Sequence, residues 1–276
     1  MREIDGGQLV RQPRSRRRPR RRRPADPGRD AARHAPRLDQ AGREQPGGEA
    51  AAAARWSGAT LDRFVDEVEQ VRVALGLDAG SFFLLGHSWG GILAIEYALR
   101  YQKHLKGLVI SNMMASIPAY NAYAQAHLMP ELDPAELAEI QEMEATGRHT
   151  EPRYEELLAG HYERHVLRMP RAEWPEPVVR SFAHINPDIY VPMQGPSELG
   201  ASGALAEWDR TADLPAITVP TLTIGAAHDT MDPAHMAEMA TRVGDGTHVH
   251  CPNGSHLAMY DDQQTYLRGL IDFLTR

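Results

Sequence analysis

A serine held between glycines at the end of an apolar run is the residue in this chain best placed to do chemistry. Gly86-His87-Ser88-Trp89-Gly90 follows directly on Phe82-Phe83-Leu84-Leu85, and Ile92 to Arg100 beyond it has helix character. Strand, tight turn, helix is the context in which a G-x-S-x-G string becomes a nucleophile elbow, with the serine hydroxyl exposed at the tip of a sheet. The turn is strained, so small residues belong where the backbone passes close to itself. The Trp89 backbone N–H, at the start of the helix, is then placed to help hold an oxyanion. The string alone is common by chance, and a glycine-rich turn with a solvated serine would read the same. The flanking elements are what favour a nucleophile.

A serine hydroxyl is a poor nucleophile at neutral pH. It needs a base, usually histidine, and a carboxylate to orient that base. In triads built on this kind of elbow the chain order is Ser, acid, His, the acid following a late strand and the histidine the last one. Asp229 lies just past the apolar run 220–225, in Gly225-Ala226-Ala227-His228-Asp229-Thr230-Met231-Asp232-Pro233. His256 lies just past the next run, in Pro252-Asn253-Gly254-Ser255-His256. All three residues thus fall at carboxyl ends of predicted strands, where open α/β sheets carry their sites. Asp232 precedes a proline and reads better as a helix N-cap than as the acid. His248 and His250 lie within a strand and read as structural, and the His87 side chain is expected to point away from the site. The histidines have no metal-site spacing and no cysteine partners, so neither metal nor cofactor is expected.

The elements that must position these residues are legible from periodicity. Leu61, Phe64, Val65, Val68, Val71 and Leu75 share one helical face, with Gly76 at its end. Ser81–Leu85 reads as a strand, Gly91–Tyr101 as a helix and Leu105–Ser111 as a buried strand. That order implies a parallel α/β sheet. Residues 116–210 break the alternation: Pro134–Thr146 and Arg153–Arg168 have helical spacing, and the stretch reads as an inserted helical cap. The pattern then resumes with strand 220–225, helix Pro233–Val243, strand Thr247–Cys251 and helix Gln263–Leu274. The expected organisation is core over 57–115, cap over 116–210 and core again over 211–276.

Charge divides the chain unevenly. Residues 1–56 hold 15 Arg against 7 Asp or Glu, a balance of +8, which leaves −15 for residues 57–276 out of a total of −7. An acidic body argues against nucleic acid as its main partner. Cys251 is the one cysteine among 276 residues, so no internal disulfide can form, and a reducing, cytoplasmic setting is expected. No apolar stretch reaches the length of a membrane span, and the basic N-terminus lacks a following hydrophobic region. The oligomeric state is not legible.

With these residues in place, residues 57–276 resemble the proline iminopeptidase family of α/β hydrolases. The matching stretches are Thr60-Leu61-Asp62-Arg63-Phe64-Val65-Asp66-Glu67, the elbow with Gly91, Met193-Gln194-Gly195-Pro196-Ser197-Glu198, His228 to Pro233, and Gly254-Ser255-His256. The resemblance implies an α/β-hydrolase fold with a helical cap, and removal of an N-terminal proline or other small residue from short peptides or amino-acid amides with a free N-terminus. It assigns Ser88 as nucleophile, His256 as base, Asp229 as orienting acid and Glu198 as the cap carboxylate that binds the substrate amine. A cation buried in a small pocket needs such a partner, although Glu198 pairing with a cap arginine is the plainer alternative. Part of the family has a second acid after the triad aspartate, and here that place is Thr230. An amidase or esterase on small acyl substrates is the second reading, and a catalytically impaired scaffold with a basic arm the third.

The resemblance stops at the N-terminus. The family's His-Gly-Gly-Pro-Gly loop, which supplies a second oxyanion donor worth about 3 kcal/mol, and its early strands are absent or replaced, which would leave the elbow strand at an edge. Residues 1–56 read instead as a disordered Arg/Pro/Gly/Ala-rich segment or as an out-of-frame stretch of a GC-rich gene. His-Gly-Gly-Pro-Gly written with C-ending codons gives Arg-Arg-Pro-Arg one frame over, the string at Arg17-Arg18-Pro19-Arg20. Translating the nucleotide sequence in three frames decides this: the out-of-frame reading requires a Gly-Gly-Pro-Gly loop upstream in another frame, and fails if none contains it.

Overall fold

The computed structural model describes residues 60–276. The readings made of residues 1–56 therefore concern residues outside the described ones. The parallel α/β sheet expected from the strand–helix–strand order is present: β1 (Phe83–His87), β2 (Gly107–Ser111), β3 (Thr221–Ala226) and β4 (Gly246–Cys251) lie side by side in that order, every pair parallel. Parallel neighbours need crossover connections. Helix α2 (Trp89–Tyr101) links β1 to β2, and α8 (Pro233–Arg242) links β3 to β4. Helices cover both faces, so β2 and β3 are buried along their whole length, as their near-continuous apolar runs require. Among the described residues β1 is an edge strand, and its Leu85 is 43% exposed.

Helix α1 (Leu61–Ala74) opens the described chain, with the Thr60 side chain accepting the Arg63 N–H as its cap. Val65 is fully buried, and Phe64 meets Trp89 edge-on at 5.2 Å, so α1 braces the residue that follows Ser88. The same helical face was expected to bury Val71 and Leu75. Both are exposed, at 57% and 66%: the packed side of the C-terminal half is the one bearing Glu69 and Arg72, where Glu69 accepts the Tyr97 hydroxyl. The first strand begins two residues later than periodicity suggests, because the N–H groups of Ser81 and Phe82 are taken by the Asp78 carbonyl in a preceding turn.

Between β2 and β3 the chain makes a helical insertion. It contains α3 (Ile117–Tyr123), α4 (Pro134–Ala145), α5 (Pro152–His161), α6 (Glu176–Ala183) and α7 (Pro187–Gln194). Proline stands in the first turn of each, where its missing N–H removes no helical bond. The single long helix expected over 153–168 ends at His161 and continues as one wider π-helical turn, Tyr162–Val166, closed by the Leu167 N–H on the Tyr162 carbonyl. The insertion leaves and rejoins the sheet through one neck. Ser116 and Asp209 form an antiparallel bridge, with Ile117 N–H on the Trp208 carbonyl and Arg210 N–H on the Ala115 carbonyl. Buried Glu96 of α2 accepts from Trp208 Nε1 at 2.8 Å and from Arg210 Nε at 2.7 Å, fastening the neck to the core. Helices α9 (Ala258–Asp261) and α10 (Gln263–Leu274) close the chain, and α10 seats Phe273 against Phe83 of β1.

Two glycines make the crossing of β1 and α2 possible. A Cβ on Gly86 would lie 2.0 Å from the Gly90 carbonyl oxygen, and one on Gly91 would lie 2.5 Å from Met113 Cβ. Gly90 itself faces open space among the described residues, so the steric demand falls on Gly86 and Gly91. Gly86→Ala is expected to lower stability in urea unfolding by about 3 kcal/mol, since backbone atoms must move to admit the methyl.

Candidate active site

Ser88 sits between β1 and α2 with φ 52° and ψ −130°, a left-handed conformation that an L residue adopts only when its surroundings enforce it. The enforcement is visible. Its N–H donates to the Ser111 carbonyl at the end of β2 (3.0 Å), and its carbonyl accepts the Gly91 N–H (2.6 Å). Trp89 opens α2, so its N–H is one of the first-turn donors that a helix leaves without an internal acceptor.

From this elbow a hydrogen-bonded run crosses to the far strands. Ser88 Oγ lies 2.8 Å from His256 Nε2, and His256 Nδ1 lies 2.8 Å from Asp229 Oδ1. A carboxylate can only accept, so Nδ1 carries the hydrogen and Nε2 is left to accept the serine proton. The three residues expected from the sequence are thus brought together, from the loops after β1, β3 and β4. Asp229 and His256 are buried, at 1% and 4% exposure. Burial by itself would push the imidazole toward its neutral form. The charge and hydrogen bond of Asp229, followed by the charges of Glu198 and Asp261, outweigh it and hold the His256 pKa above the ordinary 6.5.

Asn112 joins the site without any signal in residue type or spacing. It follows β2 with φ 53°, a conformation that asparagine tolerates better than most residues. From there Nδ2 donates to Asp229 Oδ2 at 2.7 Å and to the Ser255 carbonyl at 3.2 Å. Ser111 Oγ donates to Asn112 Oδ1, fixing the amide, and itself meets the Tyr266 hydroxyl at 2.9 Å. The Met231 N–H completes the set on Asp229 Oδ1. Thr230 lies in the same cluster, its Oγ1 3.2 Å from His256 Nδ1.

His87 corrects an expectation. Its ring reaches the loop bearing His256, where Nε2 donates to the His256 carbonyl at 2.7 Å with the two rings 5.0 Å apart. Burial, then the neighbouring His256, lowers its pKa to about 4, so the ring stays neutral beside His256. Asp232 caps α8 through the Ala234 N–H, as an N-cap should. His248 bonds Thr223 within the sheet, and His250 is exposed.

Glu198 follows α7 and is 9% exposed. Its Oε1 accepts the Tyr190 hydroxyl at 2.6 Å; Oε2 is buried and has no hydrogen-bond partner among the described residues. No arginine meets it among those residues. Burial, then the Glu198 charge, raises the pKa of Tyr120, Tyr162 and Tyr190, and the same charge adds to the upward shift of His256. No helix among the described residues is long and apolar enough to cross a membrane.

Residues 14–268 match the model of the alpha/beta hydrolase family. A proline iminopeptidase of Flavobacterium johnsoniae is 52% identical over 216 residues, which cover 78% of this chain and 72% of that protein. One from Elizabethkingia meningoseptica is 51% identical over 217 residues, with the same coverage. Among solved structures, the proline iminopeptidase of Mycobacterium smegmatis superposes with a TM-score of 0.68 at 31% identity, covering 81% of this chain and 73% of that one. VinJ gives 0.72 at 31% identity, covering 78% and 72%.

In an NMR titration His256 is expected to protonate above pH 6.5 and His87 near pH 4. Asp229→Asn removes the main cause of the upward shift, so the His256 midpoint should fall. A midpoint that stays put would show that the carboxylate does not set it.

Proposed function

The chain belongs to the alpha/beta hydrolase family, among the proline iminopeptidases, and from that membership we propose that Ser88 is the nucleophile of an enzyme releasing proline or another small residue from the N-terminus of short peptides. The observation that carries this is the unbroken run from Ser88 Oγ through His256 to Asp229, each step 2.8 Å.

The reaction follows from those contacts. As Ser88 Oγ attacks the carbonyl after the first residue, its proton passes to His256 Nε2, and the resulting imidazolium faces Asp229. The Trp89 N–H meets the oxyanion. Collapse of the tetrahedral adduct expels the amine of the following residue, which takes the proton from His256 and leaves an acyl-enzyme. Water, deprotonated by the same histidine, releases the amino acid and restores Ser88. The raised His256 pKa suits both roles, as base before the adduct and as acid after it.

Glu198 narrows the substrate. A buried carboxylate oxygen without a partner is costly unless something donates to it. A substrate's protonated α-amino or imino group supplies both charge and hydrogen. Thr230 stands where some relatives have a second acid, and its hydroxyl is engaged with the base and acid. One carboxylate then carries amine recognition, which favours acceptance of small residues beside proline and of amino-acid amides.

A fluorophosphonate should label the wild-type chain and not Ser88→Ala; absence of wild-type labelling favours a non-catalytic scaffold. On a panel of proline-, alanine- and leucine-anilides, amino-acid amides and p-nitrophenyl esters, turnover confined to the esters removes the peptidase reading. Glu198→Gln should raise KM for free-amine substrates about thirtyfold, with little effect on N-acylated esters. With His256 as base, kcat/KM should decline on the acid side through a pKa above 6.5.

A further inference from the structure

Resting on the reading of Ser88, His256 and Asp229 as a triad, we propose that His165, in the helical insertion, is a positioning residue that holds the loops bearing Asp229 and His256 in register. His165 is nowhere near the elbow in sequence and is no part of the triad, yet it touches both loops. Its carbonyl accepts the His256 N–H at 2.9 Å, and its ring Nδ1 donates to the carbonyl of His228, the neighbour of Asp229, at 3.0 Å. The next residue extends the junction: the Val166 carbonyl accepts the Leu257 N–H at 2.9 Å and lies 3.0 Å from Ser255 Oγ. The residues on both sides of the base are therefore docked on a two-residue stretch of the insertion.

The ring is committed as well. Nε2 faces Glu131 Oε2 at 2.8 Å, while Nδ1 faces a carbonyl oxygen. Both partners can only accept, so the two bonds exist together only when both ring nitrogens carry hydrogen. The side chain is 10% exposed, with the His161 ring 5.2 Å away. Glu131 also meets Arg164 at 3.4 Å. Burial opposes ionisation of Glu131, but the His165 and Arg164 contacts prevail and keep its pKa below the usual carboxylate value.

The junction lies at the end of the wide turn Tyr162–Val166. In an α-helix the N–H of Leu167 would bond the Glu163 carbonyl; here it reaches back to Tyr162. The carbonyls of His165 and Val166 lie in its last turn, where a helix leaves its carbonyls without internal donors, and they meet the loop bearing His256 instead.

The test compares wild type with His165→Ala and His165→Gln, the latter keeping one donor group. The readouts are the rate of Ser88 labelling by a fluorophosphonate, the solvent exchange of the low-field proton between His256 Nδ1 and Asp229, and the thermal midpoint. The expected result is labelling slowed about tenfold to a hundredfold in His165→Ala, a smaller loss in His165→Gln, and faster exchange of the low-field proton in folded protein. A folded His165→Ala that labels within twofold of wild type, with unchanged proton exchange, overturns the proposal. Should His165→Ala not fold, Glu131→Ala carries the same readouts, with about a threefold loss expected and no change overturning it. Should the wild type itself not label, the hydrolase reading falls separately, and the proton exchange alone decides the role of His165.

Discussion

Burying the carboxylate of Asp229 obliges the rest of the site to form around it. A charge at 1% exposure must be surrounded by donors or lose its ionisation. Here the donors come from three parts of the chain: Asn112 after β2, Met231 in its own loop and His256 after β4. Each demand propagates. Asn112 must leave β2 in a left-handed conformation, and its amide must be fixed by Ser111 and, beyond it, Tyr266 of α10. His256 must present Nδ1 to the acid, which leaves Nε2 for the serine. The sheet supplies the framework because parallel strands end at the same level, so loops after β1, β2, β3 and β4 converge without long excursions.

His256 is the most constrained residue in that convergence. Its ring is held at both nitrogens, its carbonyl by His87 from the elbow strand and its N–H by the insertion. Two neutral or hydrogen-bonded histidines thus frame a third. The neutrality of His87 matters electrostatically: a second positive ring 5 Å away would oppose the imidazolium that the proposed reaction forms.

Ser88, Asp229 and His256 were legible in the sequence because each follows the carboxyl end of an expected strand, and in the structure the three follow β1, β3 and β4. Asn112 was not. It is one polar residue in Ser-Asn-Met-Met, and its use depends on β2 lying between β1 and β3, a spatial order that spacing does not encode. His87 was misjudged for a similar reason: strand alternation fixes a side, but the loop that crosses that side comes from 169 residues away. Val71 and Leu75 share a helical face with buried Val65, yet periodicity marks a face without saying what lies opposite it. The wide turn at Tyr162–Val166 continues a helical spacing, so side-chain periodicity does not separate it from ordinary helix; the Leu167 N–H bond to the Tyr162 carbonyl does.

The neck at Ser116 and Asp209 has a consequence for how such a chain can change over time. An excursion of more than ninety residues departs and returns through hydrogen-bonded neighbours, so its length scarcely alters the closure entropy that the sheet must bear. Lengthening, shortening or reshaping that excursion need not displace the strands that aim the serine. The excursion also touches the core where His165 and Val166 accept the His256 and Leu257 N–H groups, and there any remodelling is least free.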